Sequence, residues 1–253
     1  MRIFSTDNRP VHMGPYPTER LARLTEVPDL ARIPASKQLS FDRTDDPHSI
    51  INAMREHQAM LDAIRDGLIN KTVAEAPVGS VERAQHLKSF GYFADAAVVG
   101  VCALPAQAIL ERPHTNSDIA SLNHKLQTGQ TKTLAAGIDM VMADLRDSIA
   151  AIPTSIEHHT HALVLLYENP RDPDIDEAGT GWIKDAQAHR AGLLAAETAC
   201  VLANYLRLLG HDARGHTVTS SDVDLNKLAV AAGLASVEDG IVSHPYIGTR
   251  FGL

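Results

Sequence analysis

One short histidine-rich stretch has residue types that could bind a metal ion. The segment 157–161 reads Glu-His-His-Thr-His and directly precedes an apolar run at 162–167 that is typical of a β-strand. If that strand begins early, His159 and His161 point to the same face, because side chains alternate along a strand. Zinc, however, requires three or four ligands, and the nearest acid in the sequence is Glu157. We therefore expect hydrogen-bonded histidines here and no metal site.

The second chemically relevant feature is the number of cysteines. The chain contains two, Cys102 and Cys200, and both lie in apolar segments, where a free cysteine is typically a buried, small hydrophobic residue. A four-iron cluster needs four thiolates, and the usual spacing includes Cys-x-x-Cys. Two isolated cysteines cannot hold even one cluster. The sequence also lacks the Gly-x-Ser-x-Gly nucleophile elbow and the His-Glu-x-x-His zinc motif.

Charge and hydropathy argue against two classes of partner. The net charge of the 253 residues is −8 and the isoelectric point is about 5.9. Because a surface that binds nucleic acid is basic, we expect no nucleic-acid partner. No apolar run reaches the roughly 20 residues that span a bilayer. The N-terminus has neither the apolar core of a signal peptide nor a twin-arginine pair. We expect a cytoplasmic protein without membrane association.

The elements that must position these residues alternate between helix and strand. Apolar spacing predicts helices at 49–67, 81–91, 131–150, 183–209 and 222–232, and strands at 96–104, 162–167, 213–220 and 241–243. Gly210 is expected to end the long helix, and the N-cap candidates for the next helix are Ser220, Ser221 and Asp222. This order predicts an α/β (α+β) fold with a mixed sheet of about four or five strands covered by helices.

Proline separates the N-terminal region from the rest of the chain. Residues 1–48 contain Pro10, Pro15, Pro17, Pro28, Pro34 and Pro47. Proline interrupts regular helices and sheets, so we expect an N-terminal arm over residues 1–48 that packs on the body. Residues 49–253 are expected to form a single α/β domain.

Three segments resemble one protein family. The run at 202–216 reads Leu-Ala-Asn-Tyr-Leu-Arg-Leu-Leu-Gly-His-Asp-Ala-Arg-Gly-His, 228–235 reads Leu-Ala-Val-Ala-Ala-Gly-Leu-Ala, and 245–253 reads Pro-Tyr-Ile-Gly-Thr-Arg-Phe-Gly-Leu. They resemble the corrinoid- and iron–sulfur-dependent reductive dehalogenases and, more distantly, epoxyqueuosine reductase. The chain is most similar to the N-terminal half of the soluble, catabolic-type dehalogenases. That half looks like a degenerate duplicate of the cobalamin-binding domain behind it.

The resemblance makes cobalamin the possible cofactor. A protein that holds this bulky molecule needs an open concave face with backbone donors and small residues near the ring. The residues that could line such a face are His216, Thr217, Ser220 and Ser221. Where relatives carry a glycine-rich Ala-Gly-Leu-Gly pattern, this chain has Ala235, followed by the acids Glu238 and Asp239. These side chains keep the backbone from approaching a ligand, so no cofactor is expected for this chain alone.

The resemblance also implies a role. We expect a vestigial, cobalamin-domain-like module that packs against a catalytic half in the same or a partner chain. The chain stops within the short predicted strand at 249–253, which continues in the resembling families, so we expect a domain truncated at its C-terminal end. Tyr246 and Lys227 do not match the pair that protonates substrate in dehalogenases, so no catalytic residue is predicted and activity stays open. The alternative is a stand-alone corrinoid-binding or corrinoid-handling protein, and a homo-oligomer is a further possible assembly.

Overall fold

A computed structural model describes residues 8–21, 28–128 and 155–253. The described helices are α1 (Ile51–Ala63), α2 (Ser80–Phe93), α3 (Asp118–Thr128), α4 (Thr180–Ile183), α5 (Gln187–Leu208) and α6 (Leu225–Ala231). The described strands are β1 (Val98–Ala103), β2 (Ile109–His114), β3 (His161–Glu168), β4 (Ser221–Val223), β5 (Ser236–Glu238), β6 (Ile241–Ser243) and β7 (Phe251–Gly252). The helix predicted at 131–150 lies outside the described residues. Within the described ranges, no helix combines the length and the apolar character needed to cross a membrane.

An antiparallel sheet in the order β1-β3-β7 forms the centre of the fold. Its strands are apolar on both faces because both faces are covered. One face of β1 and β3 carries Val98 and Leu166, which are fully buried and pack in a cluster with α6. The other face carries Val99 and Leu165, which pack against α5. The sheet is therefore a buried layer between helices, and the α+β fold class is confirmed.

The remaining described strands do not extend this sheet. They pair as two antiparallel two-stranded ribbons, β2-β4 and β5-β6, instead of joining one mixed sheet of four or five strands. For β5 and β6, the turn that joins the two strands explains why they pair with each other. Asp239 and Gly240, which connect the two strands, both have positive φ angles, of 51° and 76°. Two such residues in succession favour a tight hairpin turn, so these three-residue strands pair with each other.

The long helix α5 lies against the sheet and ends where the sequence predicts. Its buried residues include several alanines, so neighbouring backbone can come close: a Cβ on Gly252 of β7 would lie 2.9 Å from the carbonyl carbon of Ala191. Gly210 follows the helix with φ of 85°. The N–H of His211 bonds the carbonyl of Leu206 at 3.0 Å, and Gly210 N–H bonds Arg207 at 3.0 Å. These two bonds are the Schellman arrangement, and the glycine cap is confirmed.

Two sequence predictions are wrong immediately after this cap. The segment 213–220, predicted as a strand, is a loop, and only Ser221–Val223 is extended and paired with β2. The next helix begins at Leu225 instead of at 222, because the preceding residues belong to that strand pair. Its N-cap is Asp224, whose carboxylate accepts from the N–H of Lys227 at 3.1 Å. The predicted caps Ser220, Ser221 and Asp222 therefore have other roles.

The described part of the N-terminal arm packs on the body. Leu30 and Ile33 are buried in the same cluster as the sheet, and Phe41 is 5% exposed. The N–H of Leu39 donates to the carbonyl of Val218 at 2.8 Å, so the arm passes beside the loop that follows α5. The division of the chain at residue 48 stays a prediction, as does truncation at the C-terminal end.

Candidate functional site

The loop at 211–220, between the Gly210 cap and β4, carries most of the residues predicted to meet a cofactor. The structure brings those residues together, but it places them inside the protein. Thr217, Ser220 and Ser221 are each 1% exposed. His216 is mostly buried as well. Their polar groups therefore face protein partners instead of an open concave surface.

The carboxylate of Asp62, on α1, is the centre of one group of partners. It accepts from Thr217 Oγ1 at 2.7 Å and from Gln58 Nε2 at 3.0 Å. The other oxygen accepts from Asn116 Nδ2 at 2.8 Å and from the hydroxyl of Thr219. Burial raises the pKa of Asp62 above its ordinary value, although these hydrogen bonds oppose the shift. The acid is thus fully satisfied in the interior, as a buried polar group needs to be.

A second group of residues at this loop consists of alternating positively and negatively charged side chains. Arg65 Nη1 lies 2.8 Å from Asp222 Oδ2, and Arg214 Nη1 lies 3.1 Å from the same oxygen. Arg214 also bonds Asp66 at 2.6 Å, and its side chain is 2% exposed. Burial works to raise the pKa of Asp222, but the hydrogen bond from Arg65 and the surrounding positive charges lower it overall. A shared carboxylate between two guanidinium groups neutralises charge that would otherwise be buried unpaired.

His216 completes this second group without carrying a charge. Its Nδ1 accepts from the backbone N–H of Asp222 at 3.2 Å. Burial, followed by the nearby charge of Arg65, lowers the pKa of His216 to about 3. The ring is therefore neutral near pH 7 and serves as a hydrogen-bond acceptor. The interpretation of His216, Thr217, Ser220 and Ser221 as a cofactor edge stays a prediction, and it would require the loop to leave the interior.

Sequence reasoning missed the side chains on α1 and just after it that hold this loop. Gln58 and Asp62 are four residues apart on one face of α1, and Arg65 follows two residues after the helix ends. That spacing indicates a shared face but does not show whether the face is buried. A polar stripe on an amphipathic helix normally indicates the solvent side, whereas here the stripe faces the 211–220 loop and is buried.

The outer end of the same loop meets the histidine-rich stretch. His158 Nε2 contacts Asp212 Oδ2, and His159 Nε2 lies 3.5 Å from Asp212 Oδ1. One ligand atom from each of the three residues lies within 4.8 Å of the others. We call these three residues the His–Asp cluster. The condition under which His159 and His161 would share a strand face is not met, because β3 begins only at His161.

The two cysteines do not approach this cluster as ligands. Cys200 is 3% exposed, and its thiol donates to the carbonyl of Leu61 at 3.3 Å. Burial raises the pKa of Cys200 to about 12 and that of Cys102 to about 11. Both are free thiols, and the prediction of a buried thiol is confirmed for Cys200, whereas Cys102 is only partly buried. A protonated thiol is a poor metal ligand.

An exposed apolar surface lies on the far side of α5. Val201, Tyr205 and Leu208 are spaced by four and three residues on one helix face and are partly exposed, and the Tyr205 ring also stacks on Phe90 of α2 at 6.1 Å. The segment containing Leu68 and Val73 runs beside the end of this helix, where Asn70 Nδ2 donates to the carbonyl of Leu208 at 3.1 Å. We call these five apolar residues the α5 face; they are between 44% and 97% exposed. Clustered apolar exposure of this kind marks an interaction surface.

Comparison with known proteins gives one consistent result. No protein-family model matches the sequence, and no curated protein matches it. Among solved structures, the catabolic reductive dehalogenase NpRdhA is similar at 29% sequence identity with a TM-score of 0.69. A second structure, described as suggesting a mechanism for B12-dependent dehalogenation, has 29% identity and a TM-score of 0.70. NpRdhA in complex with 3-bromo-4-hydroxybenzoic acid gives the same two values.

The coverage of these matches is asymmetric. Each match includes 100% of this chain but 30% of the dehalogenase chain. The similarity therefore extends through the whole sequence and is not confined to the segments 202–216, 228–235 and 245–253. This chain is similar, over its entire length, to a part of the reductive dehalogenases that makes up about 30% of their length.

Proposed function

We propose that this chain is an N-terminal, cobalamin-domain-like module of a cytoplasmic, corrinoid-dependent reductive-dehalogenase-like protein. The observation that carries the proposal is the similarity of the whole chain, at 29% identity, to 30% of a dehalogenase. The sequence contains two cysteines, too few for one four-iron cluster. The module would therefore support an oxidoreductase without transferring electrons through its own clusters.

The vestigial character of the module is supported by the 211–220 loop. A cofactor-binding loop keeps polar groups free to meet the ligand. Here Thr217 and Ser220 are buried, and Thr217 Oγ1 donates to Asp62 at 2.7 Å. Exposing these groups would break the hydrogen bonds of a buried carboxylate. We therefore infer that the module does not hold cobalamin itself.

The α5 face supports the packing role. A catalytic half, in the same chain or in a partner chain, would cover Val201, Tyr205 and Leu208. Burying such side chains stabilises an interface by about 25 cal/mol for each Å² of apolar surface removed from water. A homo-oligomer would cover the same side chains and is the competing assembly.

The alternative function is a stand-alone corrinoid-binding or corrinoid-handling protein. It is favoured by the neighbour whose structure concerns B12-dependent dehalogenation. In this alternative His216, Thr217, Ser220 and Ser221 would leave the interior and line the ring edge. The two functions therefore differ in whether these four side chains stay buried or contact the corrinoid.

The first experiment is a titration with hydroxocobalamin, followed by gel filtration with absorbance read at the corrinoid band. The vestigial module is expected to elute without pigment while its circular-dichroism spectrum shows a folded protein. Stoichiometric pigment that travels with the protein would refute the vestigial role and support the alternative. A Thr217→Val variant then tests the location: loss of pigment indicates this loop if circular dichroism shows that the variant is folded, because the substitution also removes a donor to Asp62.

A second experiment tests packing. The portion of NpRdhA outside the matched 30% is produced as a separate chain and mixed with this protein. Association in analytical ultracentrifugation is expected, and Tyr205→Glu should weaken it at least about tenfold, because a charge would be buried in an apolar contact. Ile175→Glu is the matched control, since Ile175 is 89% exposed and lies outside the α5 face. Equal weakening by both variants, or no association, would contradict the packing role.

A further inference from the structure

The His–Asp cluster has the composition of a metal site that the sequence alone did not reveal. Two imidazoles and one carboxylate are ligands that suit zinc and neighbouring divalent transition metals. The carboxylate comes from Asp212, which is 54 residues away from His158 in sequence. The nearest acid in the sequence, Glu157, is not in the cluster. The missing third ligand of the histidine-rich stretch is therefore supplied by the 211–220 loop.

The spacing of the ligand atoms fits one ion. Zinc binds imidazole nitrogen and carboxylate oxygen at about 2.0–2.2 Å, so two tetrahedral ligand atoms lie about 3.4 Å apart. His159 Nε2 and Asp212 Oδ1 are 3.5 Å apart. The third ligand atom, on His158, lies within 4.8 Å of the others, and that side chain is 55% exposed and can adjust. Only a small movement is needed to place an ion among them.

His159 provides a second observation. Its Nε2 is buried and forms no well-aligned hydrogen bond among the described residues, and the polar group that faces it is the Asp212 carboxylate at 3.5 Å. A buried nitrogen with only this long contact costs free energy, which a closer bonding partner would offset. This nitrogen points toward the Asp212 carboxylate, where an ion bound to both would satisfy it. The other ring, on His158, leaves the opposite side of the cluster open to solvent.

Both segments that carry the ligands are held in place by bonds outside the cluster. The N–H of Leu104 donates to the carbonyl of Thr160 at 2.9 Å, which fixes the end of the histidine stretch against the sheet. Arg207 Nη1 donates to the carbonyl of Ala213 at 2.8 Å, which fixes the residue after Asp212. Preorganised ligands lose little conformational entropy on binding, so the site favours an ion more than a flexible histidine tract would.

The surrounding charges permit a cation. His216 is neutral near pH 7 because burial lowers its pKa to about 3. The guanidinium groups of Arg65 and Arg214 are paired with Asp222, and Arg214 is also paired with Asp66. Their positive charge is thus offset within the interior, whereas the charge of the buried Arg207 guanidinium is offset by its attraction to the carboxylates of Asp66 and Asp212. Asp212 supplies the acidic ligand of the cluster, and 28% of its side chain is exposed.

We propose that His158, His159 and Asp212 bind one divalent transition-metal ion of the Zn²⁺ class. The bound ion joins the segment before β3 to the 211–220 loop. Three protein ligands leave one coordination position for water, as in zinc sites that are not closed. The site belongs to this chain's own residues and would exist whether or not the chain is a dehalogenase module.

The test is a zinc titration of tag-free protein stripped with a chelator. Isothermal calorimetry is expected to give one ion per chain, and elemental analysis after gel filtration should retain it. Cobalt(II) in place of zinc should show the intense visible bands of a four-coordinate site. Asp212→Asn and His158→Ala should each weaken binding by more than about 100-fold, since even groups that only support ligands contribute about 10- to 100-fold.

Controls separate this site from adventitious binding, because the chain has 13 histidines. His161→Ala, an exposed histidine outside the cluster, is expected to leave the affinity unchanged. His159→Ala removes a partly buried side chain, so the fold of this variant is checked by circular dichroism. If His159→Ala does not fold, the result for His158→Ala decides the test, because His158 is exposed. Absence of a retained ion, or equal affinity in Asp212→Asn and the unaltered chain, would overturn the proposal.

Discussion

The carboxylates at the two ends of the 211–220 loop lie in different surroundings, buried at the inner end and partly exposed at the outer end. At the inner end, Asp62 and Asp222 are nearly excluded from solvent, and both oxygens of Asp62 and Oδ2 of Asp222 accept hydrogen bonds from buried side chains. At the outer end, Asp212 meets two histidines at a half-open surface, and His159 Nε2 lies 3.5 Å from the carboxylate without forming a well-aligned hydrogen bond. Gln58 Oε1 is also buried without a partner among the described residues at the inner end, so the difference lies in the carboxylates. Several donors to a buried carboxylate indicate a structural role, whereas a carboxylate and two imidazoles beside solvent can meet a ligand.

The largest effect is expected when one of the two inner carboxylates, that of Asp222, is removed. Asp222→Ala leaves the buried guanidinium groups of Arg65 and Arg214 without their shared partner. Breaking a buried ion pair from one side costs about 3–5 kcal/mol, because an uncompensated charge remains in the interior. We expect the free energy of unfolding, measured by urea denaturation, to fall by about that amount.

The matched control for this variant is Asp172→Ala, in the exposed segment after β3. It removes a carboxylate of the same size without burying a charge, so its effect on unfolding should stay within about 0.5 kcal/mol. If both variants unfold at the same urea concentration as the unaltered chain, the inner end is not the structural centre described above.

A smaller effect is expected from the titration of His216. Its folded pKa is about 3, below the ordinary value of 6.5, so the unfolded chain binds more protons between these two values. Stability is therefore fully present above pH 6.5 and is lost as the pH falls toward 3. One such group contributes a loss of about 2 kcal/mol between pH 6.5 and about 4.5.

His216→Asn should reduce this loss, since the amide oxygen can still accept from the N–H of Asp222 but does not titrate. The measurement is urea denaturation at several pH values in the presence of a chelator. His244, whose burial lowers its pKa to about 4, has the same sign and leaves part of the slope in the variant. An identical pH dependence in the variant and the unaltered chain would show that His216 is not the titrating group.

The sequence predicted the parts of the fold that are encoded locally. The long helix α5 and its Gly210 cap follow from an uninterrupted apolar pattern and a glycine that adopts positive φ. Strand β3 was placed to within one residue at each end, because its apolar run is continuous. These elements could be predicted because the apolar pattern and the capping glycine that determine them lie within the segments themselves.

The site residues could not be predicted in the same way. Asp62 and Thr217 meet across 155 residues of sequence, and alternation at 213–220 resembled a strand although the loop's polar groups bond inward. Asp212 reaches His158 across 54 residues. Local periodicity contains no information on such partners, because tertiary packing decides them.

The smallest expected effect distinguishes the outer end from the inner one. In metal-free protein, Asp212→Asn removes a partly exposed pair with His158, and such pairs contribute about 0.2–1 kcal/mol. Unfolding should therefore change by less than about 1 kcal/mol. With zinc at about 100 times its dissociation constant, the unaltered chain should gain about 2.7 kcal/mol, because the ion binds the folded state. The variant should gain almost none of it. Thermal unfolding with zinc and with chelator measures both differences, and a large loss in the metal-free variant would place Asp212 with the inner carboxylates.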